Sequence, residues 1–377
     1  MQSAISAETA SATTPSGTPI KIGMLVDSPD PATNFYESAP VAQAFVNNWN
    51  KHGGFKGHPI DLLIKDAALD PTSTIAGAQE LVNNEGVVAM VDNTALLDCP
   101  VNASFYASAE IAVIPGTTSS SCTEKTGAYV YPYNGTTSIS IGLKWAIQQG
   151  SKTFALVLPS LPGAGFGPTI ANLQEILKKS GAKTKMITMS VPLTATAADW
   201  DAVIATLKGD GADTVMMGST LPQTALALTT AATNSYGPKN GIRWIVGPAA
   251  YSKSAISPVF AGAYILSYTY PWSENNPDVK TALGILKNIK GLDGVDGLAY
   301  QDFSLIQSVL NEVKGPVTRQ SVLAAIHKKT SIPLSLTSYS VDLASVNNLE
   351  GAQILVLKNG KFQAASKYLT VKVPAAS

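Results

Sequence analysis

The sequence is poor in several residue types, and each shortage excludes a class of protein. Charged residues make up 14% of the 377 residues, and Lys plus Arg equal Asp plus Glu at 26 each, so the formal net charge is zero. Because no basic excess is present to neutralise phosphates, nucleic acid is not expected as a partner. No uninterrupted apolar run approaches the roughly 20 residues that a membrane-spanning helix needs.

Cysteine and histidine are equally scarce. The chain has two cysteines, Cys99 and Cys122, and three histidines. A structural zinc site takes four ligands, and the cysteine spacing does not suit one, so no metal is expected. No G-x-S-x-G motif occurs, and no histidine lies near the Ser/Thr-rich segment 117–121. We therefore predict no catalytic residue and no enzymatic activity.

Large apolar residues are almost absent from residues 2–19, which read QSAISAETASATTPSGTP. Such a segment buries too little surface to offset its ordering entropy, so residues 1–19 are predicted to form a flexible tether. We interpret this tether as part of an exported protein whose export signal has been removed. A cytosolic protein with a disordered tail is the alternative.

What the sequence does contain is a regular alternation of apolar strand segments and amphipathic helices, and it occurs twice. Alternating strands and helices predict parallel sheets with both faces covered. A chain of this length also exceeds what one core usually supports. The sequence thus predicts an α/β protein with two similar lobes. The predicted strands are 20–26, 60–65, 87–91 and 111–114 in the first repeat, and 153–158, 185–189, 214–217, 244–246 and 264–268 in the second.

After residue 270 the pattern changes to helices at 278–290, 298–313 and 318–328, followed by strands at 354–357 and 364–371. Asn359-Gly360 between those strands predicts a hairpin. A glycine-rich segment at 163–167 follows a predicted strand, but its spacing misses G-x-G-x-x-G, and Pro159 and Pro162 break the tight turn that a dinucleotide needs. No cofactor is therefore predicted.

Residues 46–70 carry a more specific pattern. They read VNNWNKHGGFKGHPIDLLIKDAALD, in which an Asn, a Gly-Gly pair, a Gly-x-Pro turn and a strand precede an Asp-Pro helix start. This order resembles the leucine/isoleucine/valine-binding protein family of ABC importers. The resemblance implies two Rossmann-like lobes joined by three crossings, with ligand held between them by hinge closure. It places the first lobe at 20–133 plus 272–335 and the second at 134–271 plus 336–377.

The ligand is expected at the carboxyl ends of the parallel strands. In relatives, loops after the third and fourth strands hold a ligand carboxylate with hydroxyls and backbone N–H groups, and aromatic side chains pack on the ligand. The resemblance therefore implies that the following residues bind ligand: Phe35, Tyr36, Leu97, Asp98, Thr117, Thr118, Ser119, Phe166, Thr220, Ala249 and Tyr270.

One position departs from the family pattern. Relatives that bind amino acids carry a Glu for the ligand's ammonium group after the Gly-Pro that here is Gly247-Pro248, and this chain has Ala249-Ala250. A buried ammonium group without a carboxylate partner is costly. We therefore expect a carboxylic acid, an amide or another neutral solute with an apolar body. A branched-chain amino acid remains the alternative, with Asp98 replacing the missing Glu.

The predicted function is that of an extracytoplasmic solute-binding protein of an ABC importer. Its expected partners are a small-molecule ligand and the permease subunits, with membrane contact only through a lipid anchor, and the protein is expected to be monomeric. In an exported protein Cys99 and Cys122 are expected to form a disulfide, whereas in a cytosolic one they would stay reduced. A ligand-presenting sensor of the same fold is the other function that the sequence leaves open.

Overall fold

The computed structural model describes residues 14–27, 38–95, 97–116, 135–160, 166–328, 331–343 and 349–372. These ranges form two α/β units, each built around a sheet whose central strands are parallel. The predicted fold class is therefore confirmed. None of the helices in these ranges has the length and apolar character needed to cross a membrane.

The first sheet has the strand order β2-β1-β3-β4, and every neighbouring pair is parallel. β1 lies inside the sheet with helices on both faces, which explains why it reads as a nearly continuous apolar run. A π-helical turn at Glu80–Asn84 continues α2. The elements are β1 Ile20–Val26, α1 Ser38–Lys51, β2 Ile60–Asp66, α2 Pro71–Gln79, β3 Ala89–Asn93, α3 Asp98–Ser108 and β4 Ala112–Pro115.

The second sheet has the order β13-β12-β9-β8-β7-β5-β6, with β14 also paired to β12. Strands β5 to β9 pair in parallel, and β12 joins β9 antiparallel at one side. The elements of this unit up to residue 267 are α4 Gly135–Gln148, β5 Thr153–Ser160, α5 Gly167–Ser180, β6 Lys185–Pro192, α6 Ala197–Gly209, β7 Thr214–Met217, α7 Leu221–Thr233, β8 Arg243–Val246 and β9 Tyr264–Ser267. The chain returns to this unit later, with β12 Leu349–Lys358, β13 Lys361–Ala364 and β14 Leu369–Lys372.

Three helices between β9 and β12 pack on the first sheet. They are α8 Pro277–Ile285, α9 Gly294–Leu310 and α10 Arg319–Lys328. Phe303 of α9 is fully buried beside Phe45 of α1, with ring centroids 6.1 Å apart. The small hairpin of β10 Ile332–Pro333 and β11 Ser340–Val341 joins the same core through Leu336, Tyr339 and Val341. The first lobe is therefore assembled from segments far apart in sequence.

Two segments that connect the lobes are held together by a backbone bond. The chain leaves β9 toward α8 through residues 268–276, and the β10–β11 hairpin precedes its return to β12. Tyr270 N–H donates to the carbonyl oxygen of Leu336 at 2.7 Å. The predicted boundary between the lobes at residues 133 and 134 lies outside the described residues.

Local predictions at the carboxyl-terminal end had mixed outcomes. The Asn359-Gly360 hairpin is confirmed, because β12 and β13 pair antiparallel around it and both residues adopt positive φ angles of 51° and 69°. The single strand predicted at 364–371 is wrong. The segment contains the last residue of β13, a break at residues 365–368 and most of β14, and the two strands pair with different parts of the long β12.

The apolar pattern also predicts too late a start for α9, at residue 298. The helix begins at Gly294 because Asp293 caps it, accepting from Val295 N–H at 3.1 Å, while Asp296 accepts from Asp293 N–H at 2.8 Å. Such a capping box satisfies backbone donors that a helix start leaves open. Glycine and aspartate in this first turn hide the helix from an apolar periodicity.

Candidate ligand-binding site

The carboxyl end of the first sheet is occupied by buried polar side chains. Asp27 follows β1 and accepts a hydrogen bond from Leu69 N–H at 2.9 Å. The side-chain oxygen of Asn93, the last residue of β3, accepts from Leu25 N–H at 3.1 Å. These side chains bond backbone donors of neighbouring segments. They therefore fix the loops that leave this edge of the sheet.

Asp98 is the centre of a second buried network at the start of α3. Its carboxylate accepts from Asn93 Nδ2 at 2.8 Å, from Asn102 Nδ2 at 2.8 Å and from the Tyr106 hydroxyl at 2.7 Å. Burial raises the pKa of Asp98, and these three bonds lower it by stabilising the charged form. Both oxygens of this carboxylate have protein donors.

Asp92 lies one residue before Asn93 and has an unusual backbone. Its φ angle is 54°, and the register of β3 against β4 shifts between Val91 and Asn93, so Asp92 forms a β-bulge. Gly116, the residue after β4, faces this bulge so closely that a Cβ atom there would collide with the Asp92 carboxylate. Bulges of this kind commonly re-aim the chain beside functional sites.

The Asp92 side chain is completely buried. Burial raises its pKa well above the ordinary value, the Ser38 hydroxyl lowers it, and the negative charge of Asp296 raises it again. Within the described residues neither oxygen has a donor at good hydrogen-bonding geometry. A carboxyl group in this setting is held in its protonated form to a higher pH than usual.

The carboxyl end of the second sheet is built from small neutral residues. Gly247 N–H donates to Met217 O at 3.1 Å, and Gly218 N–H donates to Val157 O at 3.3 Å, so the segments after β5, β7 and β8 meet at one edge. After β8 the chain makes a single 3₁₀ turn, Pro248–Ala250. Ala249 is exposed on this turn, whereas its neighbour Ala250 is buried.

The predicted site residues of the second lobe share this edge. Phe166 precedes α5 and is half-buried against the core, and Thr220 is the residue before α7 with its carbonyl oxygen bonded to Thr224 N–H at 2.9 Å. Together with Ala249 they follow strands β5, β7 and β8. The structure thus brings these three predicted residues to one end of one sheet.

The other predicted residues fall elsewhere. Leu97 is half-buried at the start of α3 beside Asp98, at the edge of the first sheet. Tyr270 lies in the crossing segment, where its ring meets that of Tyr368 with centroids 5.4 Å apart. Five predicted residues lie outside the described residues: Phe35, Tyr36, Thr117, Thr118 and Ser119.

Two buried residues of this region carry no ligand prediction from sequence. Asp92 lies near the end of β3, next to the loop that the family pattern marks, and an Asp at the end of a buried strand is the available signal. Tyr251 follows the Ala249 turn and bonds to the first lobe. Its importance depends on contacts with Trp272 and Gly294, which are distant in sequence and therefore leave no local pattern.

The predicted site residues of both lobes lie at the carboxyl ends of parallel strands, and crossing segments join the two lobes. The family model described as periplasmic binding protein matches residues 19–344. The chain belongs to the periplasmic binding protein family. No curated protein sequence matches it. The match spans both lobes, so the family assignment covers the whole candidate site.

Solved structures share the fold of this periplasmic binding protein at low sequence identity. A solute-binding protein of an ABC transporter from R. palustris, in complex with 4-hydroxybenzoate, has a TM-score of 0.77 at 19% identity over 94% of this chain and 97% of its own. A fatty acid ABC transporter substrate-binding protein from Thermomonospora curvata has a TM-score of 0.76 at 16% identity, with coverages of 93% and 92%.

A third relative binds an amino acid. The branched-chain amino acid transporter substrate-binding protein from Streptococcus pneumoniae, in complex with isoleucine, has a TM-score of 0.74 at 16% identity, covering 94% of this chain and all of that chain. These identities are low enough that the likeness establishes the fold and leaves the ligand of this periplasmic binding protein to its own residues.

Proposed function

We propose that this protein is the extracytoplasmic solute-binding component of an ABC importer, and that it captures its solute by closure of two lobes without chemical change. The solute would lie between the carboxyl ends of the two sheets. The family assignment and the shared placement of Phe166, Thr220 and Ala249 at one edge support this proposal. Permease subunits are its proposed partners.

The proposed solute is a carboxylic acid or amide with an apolar body and no ammonium group. The observation that carries this proposal is Ala249, exposed on the turn after β8, where amino-acid-binding relatives carry a Glu. Asp98 does not replace that Glu in our proposal, since three protein donors already occupy its carboxylate. Relatives that bind 4-hydroxybenzoate and fatty acid are consistent with such a solute.

We further propose a disulfide between Cys99 and Cys122. Cys99 is buried at the second residue of α3, and the described part of the chain contains no free thiol. The bond would tie α3 to the segment after β4. This disulfide suits the proposed extracytoplasmic location.

For the lobes, we propose the division predicted from sequence with one change. Leu336, Tyr339 and Val341 pack in the core around α9, so the first lobe is proposed to extend to about residue 343. The second lobe then resumes at β12.

The test is a thermal-shift screen of the purified protein with 4-hydroxybenzoate, 3,4-dihydroxybenzoate, octanoate, benzamide, leucine and isoleucine, followed by calorimetric titration of each hit. A ligand at a thousand-fold excess over its Kd stabilises the folded protein by about 4 kcal/mol. We expect hits among the acids or the amide and none for leucine or isoleucine. Tight binding of isoleucine with a weaker response to every acid would refute the proposed solute class.

A matched pair of variants sharpens the test. Ala249→Glu places a carboxylate on the turn after β8, so we expect it to weaken binding of a carboxylate ligand by charge repulsion and to strengthen binding of isoleucine. Ser254→Glu makes the same charge change at an exposed position nearby and should leave both affinities unchanged. Equal effects of the two variants would place the ligand away from this turn.

A further inference from the structure

Tyr251 joins the turn that carries Ala249 to both the crossing segment and the first lobe. Its carbonyl oxygen accepts a hydrogen bond from the N–H of Gly294, the first residue of α9, at 2.8 Å. Its hydroxyl oxygen accepts from Trp272 N–H at 3.0 Å. The Trp272 indole N–H in turn donates to Asp293 O at 2.7 Å. The three hydrogen bonds form a closed circuit that links Tyr251, Trp272 and the start of α9.

The Tyr251 ring is fixed as firmly as its polar atoms. It is buried and meets the ring of Phe362 edge-on, with centroids 4.9 Å apart and planes at 73°. Burial raises the pKa of the Tyr251 hydroxyl well above its ordinary value, so this group remains a neutral acceptor at physiological pH. The ring therefore cannot move without disturbing β13 of the second lobe.

The start of α9 approaches the second lobe and the crossing segment so closely that an added Cβ would displace its neighbours at two positions. A Cβ on Gly294 would lie 2.8 Å from Tyr251 Cδ1 and 3.0 Å from Tyr251 O. One turn later, a Cβ on Gly297 would lie 2.5 Å from Thr269 Oγ1 in the crossing segment. The next residue, Leu298, packs in a core of the second lobe. Steric contact thus reinforces the hydrogen-bond circuit.

The turn itself is too short to absorb a displacement. Ala250 N–H donates to Gly247 O at 3.0 Å, and Tyr251 N–H donates to Pro248 O at 2.9 Å, so both bonds of the 3₁₀ turn surround Ala249. A ligand that moves Ala249 must move Tyr251 with it.

We propose that Tyr251 is a positioning residue that transmits contact at the Ala249 turn to the first turn of α9, and so sets the angle at which the two lobes meet. This proposal rests on the proposed function, because it takes the Ala249 turn as part of the ligand site. Tyr251 itself acts through the turn and does not contact the solute.

The test is the distance between the lobes, measured by electron–electron double resonance on the full chain. Spin labels are attached to p-acetylphenylalanine introduced at Lys51 in α1 and Gln174 in α5, both exposed, which leaves the two native cysteines untouched. The variants are Gly294→Ala, Gly297→Ala and Tyr251→Phe. The matched control is Gly284→Ala in α8, where an added Cβ meets nothing within 4 Å.

We expect each of the three variants to shift or broaden the ligand-free distance distribution, with a change in mean of more than about 2 Å for the two alanine variants, the scale of a domain rearrangement. Gly284→Ala should reproduce the wild-type distribution. Circular dichroism and thermal unfolding establish that each variant is folded before its distances are compared. Tyr251→Phe keeps the ring, so it tests the hydroxyl circuit without the steric conflict of the glycine variants.

Wild-type distributions for folded Gly294→Ala and Tyr251→Phe would overturn the proposal. The second measurement is the Kd of 4-hydroxybenzoate, which we expect Tyr251→Phe to raise about tenfold. If no variant or wild type binds any solute of the screen, the proposed solute class fails, while the ligand-free distances still decide whether Tyr251 sets the angle between the lobes.

Discussion

The carboxyl edges of the two sheets carry different kinds of side chain. In the first lobe the edge carries Asp27, Asp92 and Asp98, all buried. In the second lobe it carries glycine, threonine and alanine, as at Gly218 and Ala249. The carboxylates of Asp27 and Asp98 bond the protein's own donors. Buried acids at the end of a parallel sheet can therefore organise loops, whereas the neutral edge is where we propose that the solute binds.

The variant with the largest expected effect tests whether the two lobes unfold independently of each other. Phe303→Ala removes a fully buried ring from the first core and should lower the free energy of unfolding by about 3–5 kcal/mol. We expect hydrogen exchange to accelerate at the amides of β1 and to change little in β5. Phe154→Ala is the control from the second lobe and should show the reverse pattern. Equal acceleration in both sheets for either variant would mean that the lobes unfold as one unit.

A second pair of variants compares a buried acid that holds loops in place with a neutral loop residue. Asp98→Ala leaves the donors of Asn93, Asn102 and Tyr106 without their acceptor, so we expect a loss of about 3 kcal/mol in the free energy of unfolding. Thr220→Ala in the second lobe is the control, because the Thr220 side chain makes no capping bond to α7. Chemical denaturation measures both, and equal losses would contradict the contrast between the edges.

Asp92 makes the stability of the first lobe depend on pH. Its pKa is raised in the folded protein, so the folded state holds a proton that the unfolded state releases above about pH 4. The contribution of Asp92 to stability should therefore fall as pH rises from that value through the raised pKa, by up to about 1.4 kcal/mol per pH unit. Asp98 contributes with the same sign.

Denaturation curves at a series of pH values test this linkage. Asp92→Asn should flatten the dependence in part, since Asn keeps the shape of the protonated acid and cannot ionise. A pH dependence of Asp92→Asn that matches that of the wild type would contradict a raised pKa of Asp92 in the folded state.

The smallest expected effect lies at the surface of the second lobe. Thr196 caps α6 in a capping box with Asp199, whose carboxylate accepts from Thr196 N–H at 2.7 Å. Thr196→Ala should cost about 1 kcal/mol. Hydrogen exchange should speed up in the first turn of α6 alone, and Thr206→Ala in the same helix serves as the control without a capping role. A change that reached β1 would contradict independent lobes.

The sequence anticipated the elements whose cause is local. Alternating apolar and amphipathic segments predicted both sheets, and Asn359-Gly360 predicted the hairpin between β12 and β13, because turn geometry depends on those two residues themselves. The strand predictions were less accurate where one strand pairs with two neighbours. The segment at 364–371 was predicted as one strand, yet β12 is long enough to pair with both β13 and β14, and the chain breaks between them.

The predictions for the site likewise reach what is local in sequence and miss what depends on tertiary contacts. Family resemblance located the Ala249 turn and the loop that begins at Asp92. The carboxylate of Asp98 reads in sequence as a group for a ligand, and only its three partners reveal an internal role. Tyr251 had no sequence pattern to distinguish it from other buried tyrosines.

Sequence alone determined the α/β class, the two repeats and the absence of a Glu after Pro248, since each depends on residue type or on spacing along the chain. Tertiary structure decided which carboxylates are already bonded and where α9 meets the second lobe. Gly294 and Tyr251 are 43 residues apart in the printed numbering, yet their backbones approach to hydrogen-bonding distance. Such contacts depend on how whole elements pack, and no local pattern records them.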